Sequence, residues 1–177
     1  MVKYGRFART INHDIKEEKM SAGRFITGLA FTLFALGAAA QDRPPYGQEI
    51  GLDLAKKIAA GAAAESNKNG WRMAITVVDN HGFLVYYERM DDTQTASVGV
   101  ALDKAKAAAM YRRPTKAFED GIAKGRVALL GLSGATPIEG GLPIMSGGKV
   151  IGAIGVSGAN SDHDAQAAAA GLKAAGL

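Results

Sequence analysis

The sequence predicts an α+β fold in which helices pack on a central antiparallel sheet. Three observations carry this. Two extended apolar runs flank Gly147-Gly148, and a pair of glycines free to take positive φ is the usual connection of a tight hairpin. A second pair of strand-like runs is joined by Asn80-His81-Gly82. Around these pairs lie segments whose apolar residues recur at helical spacing, which gives the order helix, strand, strand, helix, an irregular piece, strand, strand, helix.

Residues 41–47, with Pro44-Pro45, read as an extended lead into the first helix. That helix shows Ile50, Leu54 and Ile58 on one side, continued by Gly61 and Ala62, while Glu49, Asp53 and Lys56 fall opposite, and Gly70 ends it. Met73 to Asp79 and Phe83 to Arg89 follow as strands. The Asp, Asn and Gly between them supply the side-chain hydrogen bonds and left-handed backbone of a hairpin loop. A helix over 97–111 has Val98, Ala101, Leu102, Ala105 and Ala109 as its buried stripe, and Pro114 stops it. Residues 115–132 hold a short helical piece and an apolar run. In the second strand of the glycine hairpin, Val150, Ile154 and Val156 share one face, and Ile151, Ala153, Gly155 and Ser157 the other. The second face is nearly flat beyond Ile151, which suits a covering helix or, alternatively, a flat ligand. Ser161-Asp162-His163-Asp164 reads as a capping box opening the last helix.

A chain of 177 residues, 47% apolar, is enough for one domain with a sizeable core. It has no cysteine, so disulfides, thiolate metal sites and a cysteine nucleophile are excluded. Residues 25–36 form an uncharged apolar core preceded by Lys19 and Arg24 and followed by Ala38-Ala39-Ala40. This is the pattern of a secretory signal peptide, with cleavage expected after Ala40. A membrane anchor is disfavoured, because the apolar stretch is shorter than the roughly 20 residues a spanning helix needs. Residues 1–19 read as an extension upstream of Met20. The chain therefore divides into an extension and signal over 1–40 and a domain over 41–177. The first 40 residues hold 6 of the 21 basic and 3 of the 17 acidic residues, so 15 basic against 14 acidic residues remain, a net charge of +1. Such a domain offers little basic surface for nucleic acid.

Several blocks then coincide with a known family: R-M-D at Arg89 to Asp91, K-A-K-A at Lys104 to Ala107, P-T at Pro114-Thr115, G-G-L-P-I at Gly140 to Ile144, and G-A-I-G-V-S-G at Gly152 to Gly158, with Asp164 beyond. Together they resemble the GlcG/HbpS-type haem-binding family, itself similar to the C-terminal domain of PduO-type cobalamin adenosyltransferases. The resemblance covers about Gln48 to Leu177. It implies a profilin-like α-β-α sandwich, assembly into dimers or larger rings, haem or a related tetrapyrrole as ligand, and export. The family often has glycine after R-M-D, whereas Asp92 stands here. A carboxylate at a pocket rim would repel haem propionates unless a cation intervened.

Haem iron takes His, Met, Cys or Tyr as axial donor. His81, in the first hairpin loop, and His163, in the first turn of the last helix, are the nitrogen candidates; each also reads as an ordinary turn or cap residue. Tyr86, Tyr87, Tyr111, Met90 and Met110 are further donors, or simply core. Within the matched blocks, Thr115 offers a weak oxygen ligand, and Gly140 and Gly141 are expected beside the ligand. Lys106 flanks the buried stripe of its helix, stem inward and ammonium at a rim, whereas Lys104 is expected to point away. Arg89 can grip a carboxylate in bidentate fashion or pair with Asp91 or Asp92. Arg112, Arg113 and Lys116 surround a helix end and read as complements to its dipole. Hydrolase, zinc-protease and nucleotide-binding motifs are missing. The expectation is a periplasmic or secreted haem-binding homo-oligomer that captures or buffers haem, or another small planar acid, without turnover. The alternatives are an enzyme on a small carboxylic acid, with Lys106 and Arg89 orienting it and Asp91 or Asp92 as base, and a structural oligomer with an incidental pocket.

Overall fold

A computed structural model describes residues 43–177; the expected extension, signal peptide and cleavage position lie outside the described residues. The elements are α1 (Leu52–Lys68), β1 (Ala74–Asp79), β2 (Leu84–Arg89), α2 (Thr95–Tyr111), α3 (Lys116–Ala123), a 3-10 turn (Val127–Gly131), β3 (Gly141–Ser146), β4 (Lys149–Ser157) and α4 (Ser161–Ala175). The four strands form one antiparallel sheet in the order β2-β1-β4-β3. The α+β class and the sandwich follow as expected, with α2 on one face and the α1–α4 pair on the other. Among the described residues, no helix is long and apolar enough to cross a membrane.

Both expected hairpins form. Gly147 and Gly148 have φ of 54° and 74°, the doubly positive turn that matches the natural twist of two strands. Asp79 Oδ1 accepts hydrogen bonds from the amides of His81 and Phe83, at 2.8 and 2.9 Å, which fixes the first loop. Ahead of α1, the Pro45 carbonyl accepts from the Val150 amide and the Gly47 amide donates to the Val150 carbonyl, both at 2.9 Å. The proline lead is thereby sewn to the start of β4.

Alternation places Ile75, Val77, Ile154 and Val156 toward α1 and α4, and Val78 and Ala153 toward α2. The flat face of β4 is covered by helix, so the flat ligand weighed for it is excluded. A Cβ on Gly155 would run into the Ala101 carbonyl and the Ala105 amide of α2. Ile151 departs from its expected face. A bulge lets Met145 pair with Val150 while Ile144 pairs with Gly152, and the extra residue, Ile151, joins the α1–α4 core. A bulge re-aims side chains in this way.

Two helix expectations are corrected. The buried side of α2 holds Ser97, Ala101, Lys104, Ala105 and Ala108, with Val98 and Leu102 only half-buried. Lys104 is 1% exposed rather than turned to solvent, because the Gly140-Gly141 segment and α4 roof it. Asn160, not Ser161, is the N-cap of α4, and it makes no side-chain cap. The Asp164 carboxylate instead accepts from the Ala159 amide at 3.1 Å.

Candidate functional site

The sequence Y-R-R-P closes α2 in an unusual way. Arg112 takes the left-handed conformation, φ 52° and ψ 45°, which costs a non-glycine residue about 1–2 kcal/mol. The Arg112 and Arg113 amides donate back to the Ala109 and Ala108 carbonyls, both at 3.3 Å. This wrap satisfies helix-end carbonyls, and Pro114 prevents another turn. The two guanidinium groups are thrown toward the proline lead. Arg112 Nη1 donates to the Pro44 carbonyl at 3.2 Å, and the Arg112 Cζ lies 5.1 Å from the Tyr46 ring centroid. Arg113 lies 4.8 Å from the Phe118 ring.

Between this helix end, edge strand β3 and the last turns of α4 opens a cleft of about 420 Å³. Pro44, Pro114, Leu142, Pro143, Met145 and Leu172 make its apolar wall, and Arg43, Arg112 and Arg113 its basic rim. Arg43 and Arg113 also border an adjoining hollow of about 310 Å³ that includes Lys124 and Arg126. Among the described residues, no carboxylate comes within ion-pair distance of these arginines. Asp120, in the same hollow, is held by Lys116 at 3.2 Å. Burial, and after it the neighbouring Arg43 and Arg126 charges, push the Arg113 guanidinium below its ordinary pKa. Its Nε is buried with no hydrogen-bond partner. Cations crowded along one wall of a cleft raise the local concentration of anions.

Directly beneath the cleft, the family blocks meet in one buried knot. The Gly141 amide donates to Thr115 Oγ1, and the Thr115 amide donates to the Gly141 carbonyl, both at 3.0 Å. This exchange joins the Pro114 wall to the β3 wall. Alongside it, Lys104 Nζ donates to Asp164 Oδ2 at 2.7 Å and to the Val156 carbonyl at 3.1 Å. Burial raises the pKa of Asp164, and the hydrogen bond and charge of Lys104 oppose that rise. Gly140 has φ 122°, and a Cβ there would lie 2.8 Å from both Lys104 Nζ and the Asp164 Cβ. Glycine is the residue that lets the loop close over the ion pair.

Of the expected site residues, Thr115, Gly140 and Gly141 therefore come together, but as a sealed support. Thr115 is 0% exposed and its hydroxyl is engaged, so it is corrected from a ligand donor to a buttress. Arg89 and Lys106 are not brought together. Arg89 is exposed at the end of β2, while the Lys106 stem packs near Gly82 at the other end of that hairpin. At about 3.3 Å per residue, β2 alone separates them by roughly 16 Å, too far to grip one small acid. His81 sits by Glu49, with Nε2 3.4 Å from its carboxylate, and His163 stacks on Trp71, ring centroids 4.5 Å apart. The two imidazoles occupy opposite ends of β1, so they do not share an iron. Among the described residues, no three metal-ligating side chains cluster. What sequence reasoning missed was the cleft itself. The signal was available in Arg112-Arg113 standing before Pro114 without an acidic neighbour.

Comparison with known proteins bears on the fold. The family model described as haem degrading protein HbpS-like matches residues 50–173. The chain is 39% identical to protein GlcG of Escherichia coli K12 over 108 residues, which is 61% of this chain and 81% of that protein. Among solved structures, a double mutant of HbpS from Streptomyces reticuli aligns with TM-score 0.67 and 30% identity, covering 72% of this chain and 87% of that one. The PduOC:haem complex aligns with TM-score 0.66 and 21% identity over 71% of this chain and 94% of that one, a likeness of fold.

Proposed function

The chain belongs to the HbpS-like family, and on that premise we propose that it is an exported haem-binding protein that captures or buffers haem in the cleft at the end of α2. The observation that carries this is the pairing of an apolar wall with arginines that no described carboxylate neutralises. Haem is a flat apolar ring with two carboxylates on one edge, and the cleft offers the matching pair of surfaces. Its volume of about 420 Å³ lies within the usual range for small-molecule sites. Arg43, Arg112 and Arg113 form a positive rim that draws a propionate in.

Bound haem supplies a redox-active iron; the chain's residues supply position and charge. Pro44, Pro114, Leu142 and Leu172 remove ring surface from water, and the arginines fix the acidic edge. Among the described residues, the cleft lining has no carboxylate, imidazole or hydroxyl side chain. The matching family model is described as haem degrading, which supports the same ligand. The signal-like segment over residues 20–40 supports work outside the cytoplasm. Exposed Phe83 and Leu84, at the start of edge strand β2, support self-association, which light scattering tests.

Titrating the purified protein with hemin is expected to give a saturable Soret shift at micromolar concentrations. Arg43→Gln and Arg113→Met should each weaken it about tenfold, the size of one charge-assisted hydrogen bond. The dimethyl ester of the porphyrin should lose that dependence. No saturable shift overturns the proposal.

A further inference from the structure

Among side chains that line the cleft, one carries an atom that binds haem iron: Met145, through its thioether sulfur. The other lining residues are arginine, proline and leucine, none of them an iron donor. Met145 pairs with Val150 beside the β4 bulge, where Ile151 is left without a β3 partner. The residue is half-buried, held by the strand yet open to the cleft.

Among the described residues, donors elsewhere are committed or distant: the Tyr86 hydroxyl donates to Glu88 Oε2, and Tyr87 stands on β2, at the opposite edge of the sheet from β3. Met73 is fully buried, and the sulfur of Met90 accepts from the Met73 amide at 3.4 Å. Met110 borders the separate hollow beside Lys106. The Tyr46 hydroxyl donates to the Met110 carbonyl at 2.9 Å, and the Tyr111 hydroxyl donates to the Ser133 carbonyl. Thr115 Oγ1 is taken by the Gly141 amide. His81 and His163 lie by Glu49 and Trp71, away from the cleft.

We propose that Met145 is the axial protein ligand of haem iron in this chain. The assignment rests on the haem-binding reading above. It makes the iron site a thioether site, and a thioether raises the reduction potential of haem relative to nitrogen ligation. The ferrous state is thereby favoured while the arginines hold the acidic edge.

The test compares the wild type with Met145→Leu, a swap of similar volume, and with Met145→His, each loaded with hemin. Wild type is expected to show the far-red sulfur-to-iron charge-transfer transition by magnetic circular dichroism in the ferric state. Met145→Leu should still give a saturable Soret change, with severalfold weaker affinity, but lose that transition and lower the reduction potential. Met145→His should move the Soret maximum and also lower the potential. His81→Ala and His163→Ala should leave the spectrum as in the wild type. A saturating Soret change without the sulfur transition, or a transition that survives Met145→Leu, overturns the ligand assignment alone. A wild type that gives no saturable Soret change overturns both it and the haem reading.

Discussion

Lys104→Met is the most informative perturbation of the buried knot. Methionine keeps the length of the stem but removes the ammonium that donates to Asp164 Oδ2 and the Val156 carbonyl. Asp164 is 2% exposed, so its carboxylate would be left without a counter-charge in the interior. Breaking one side of such a pair costs about 3–5 kcal/mol. For a domain of this size, at roughly 4 °C per kcal/mol, the melting temperature should fall by about 12–20 °C. The loss should also depend on pH. Burial already holds the Asp164 pKa above its ordinary 3.8, against the pull of Lys104; without the lysine it rises further. A carboxyl with a raised folded-state pKa binds more protons in the native than in the unfolded state across the window between the two values. Native stability therefore falls as pH rises through that window, and the full penalty is present above the folded-state pKa. The deficit of Lys104→Met against wild type should be largest near pH 7.5 and shrink toward pH 5. Adding Asp164→Leu should recover most of it, since a buried pair is often replaceable by apolar residues. Differential scanning calorimetry across pH decides the matter. A deficit under about 1 kcal/mol, or one that is flat between pH 5 and 7.5, would refute the reasoning.

Gly155→Ala should cost at least about 3 kcal/mol in urea unfolding, because its Cβ meets α2 backbone, which a side-chain rotation cannot relieve. Gly99→Ala, on the same helix α2 with nothing within 4 Å of the added carbon, should instead stabilise by about 0.5–1 kcal/mol. Arg113→Met should leave the protein as stable as the wild type or slightly more so in the same assay, while weakening hemin binding, since it removes a cation pushed on by burial and by Arg43 and Arg126. A marked loss of stability would show that Arg113 supports the fold rather than the ligand.

The sheet was legible in the sequence because its signals are local. Glycine pairs and Asx loops specify turns on their own, and strand alternation needs only neighbours. The sandwich faces were less legible where a single inserted residue resets the alternation, as at Ile151, since no residue type marks a bulge. Lys104 was misplaced for a different reason. Helical spacing tells which residues share a side, and α2 is buried on a wider arc than one stripe because Gly140 and Asp164, 36 and 60 residues further along, come back over it. A lysine there reads as surface until its distant partner is known. The cleft was hidden in the same way: Pro44, Arg113, Leu142 and Leu172 belong to four separate segments, and no periodicity links them.

Of the residues that give the family away, Pro114, Leu142 and Pro143 also wall the cleft, whereas the rim arginines lie outside the blocks, and the knot explains why. Lys104, Asp164, Thr115, Gly140 and Gly141 are interdependent: a Cβ at Gly140 strikes the ammonium, and one at Gly141 strikes the Lys104 carbonyl and the Thr115 methyl. Changing any one of them leaves a buried polar group unpaired or forces backbone to move, so each constrains the others. The rim residues Arg43, Arg112 and Arg113 carry no such mutual constraint; a cleft arginine can be exchanged without opening the core. The buttress therefore defines the architecture, holding Pro114 against β3, while ligand choice is written on side chains that the architecture leaves free. It follows that a chain with this knot but without the arginines should keep the fold and lose the basic rim, and that likeness across the buried blocks by itself reports the scaffold rather than the ligand.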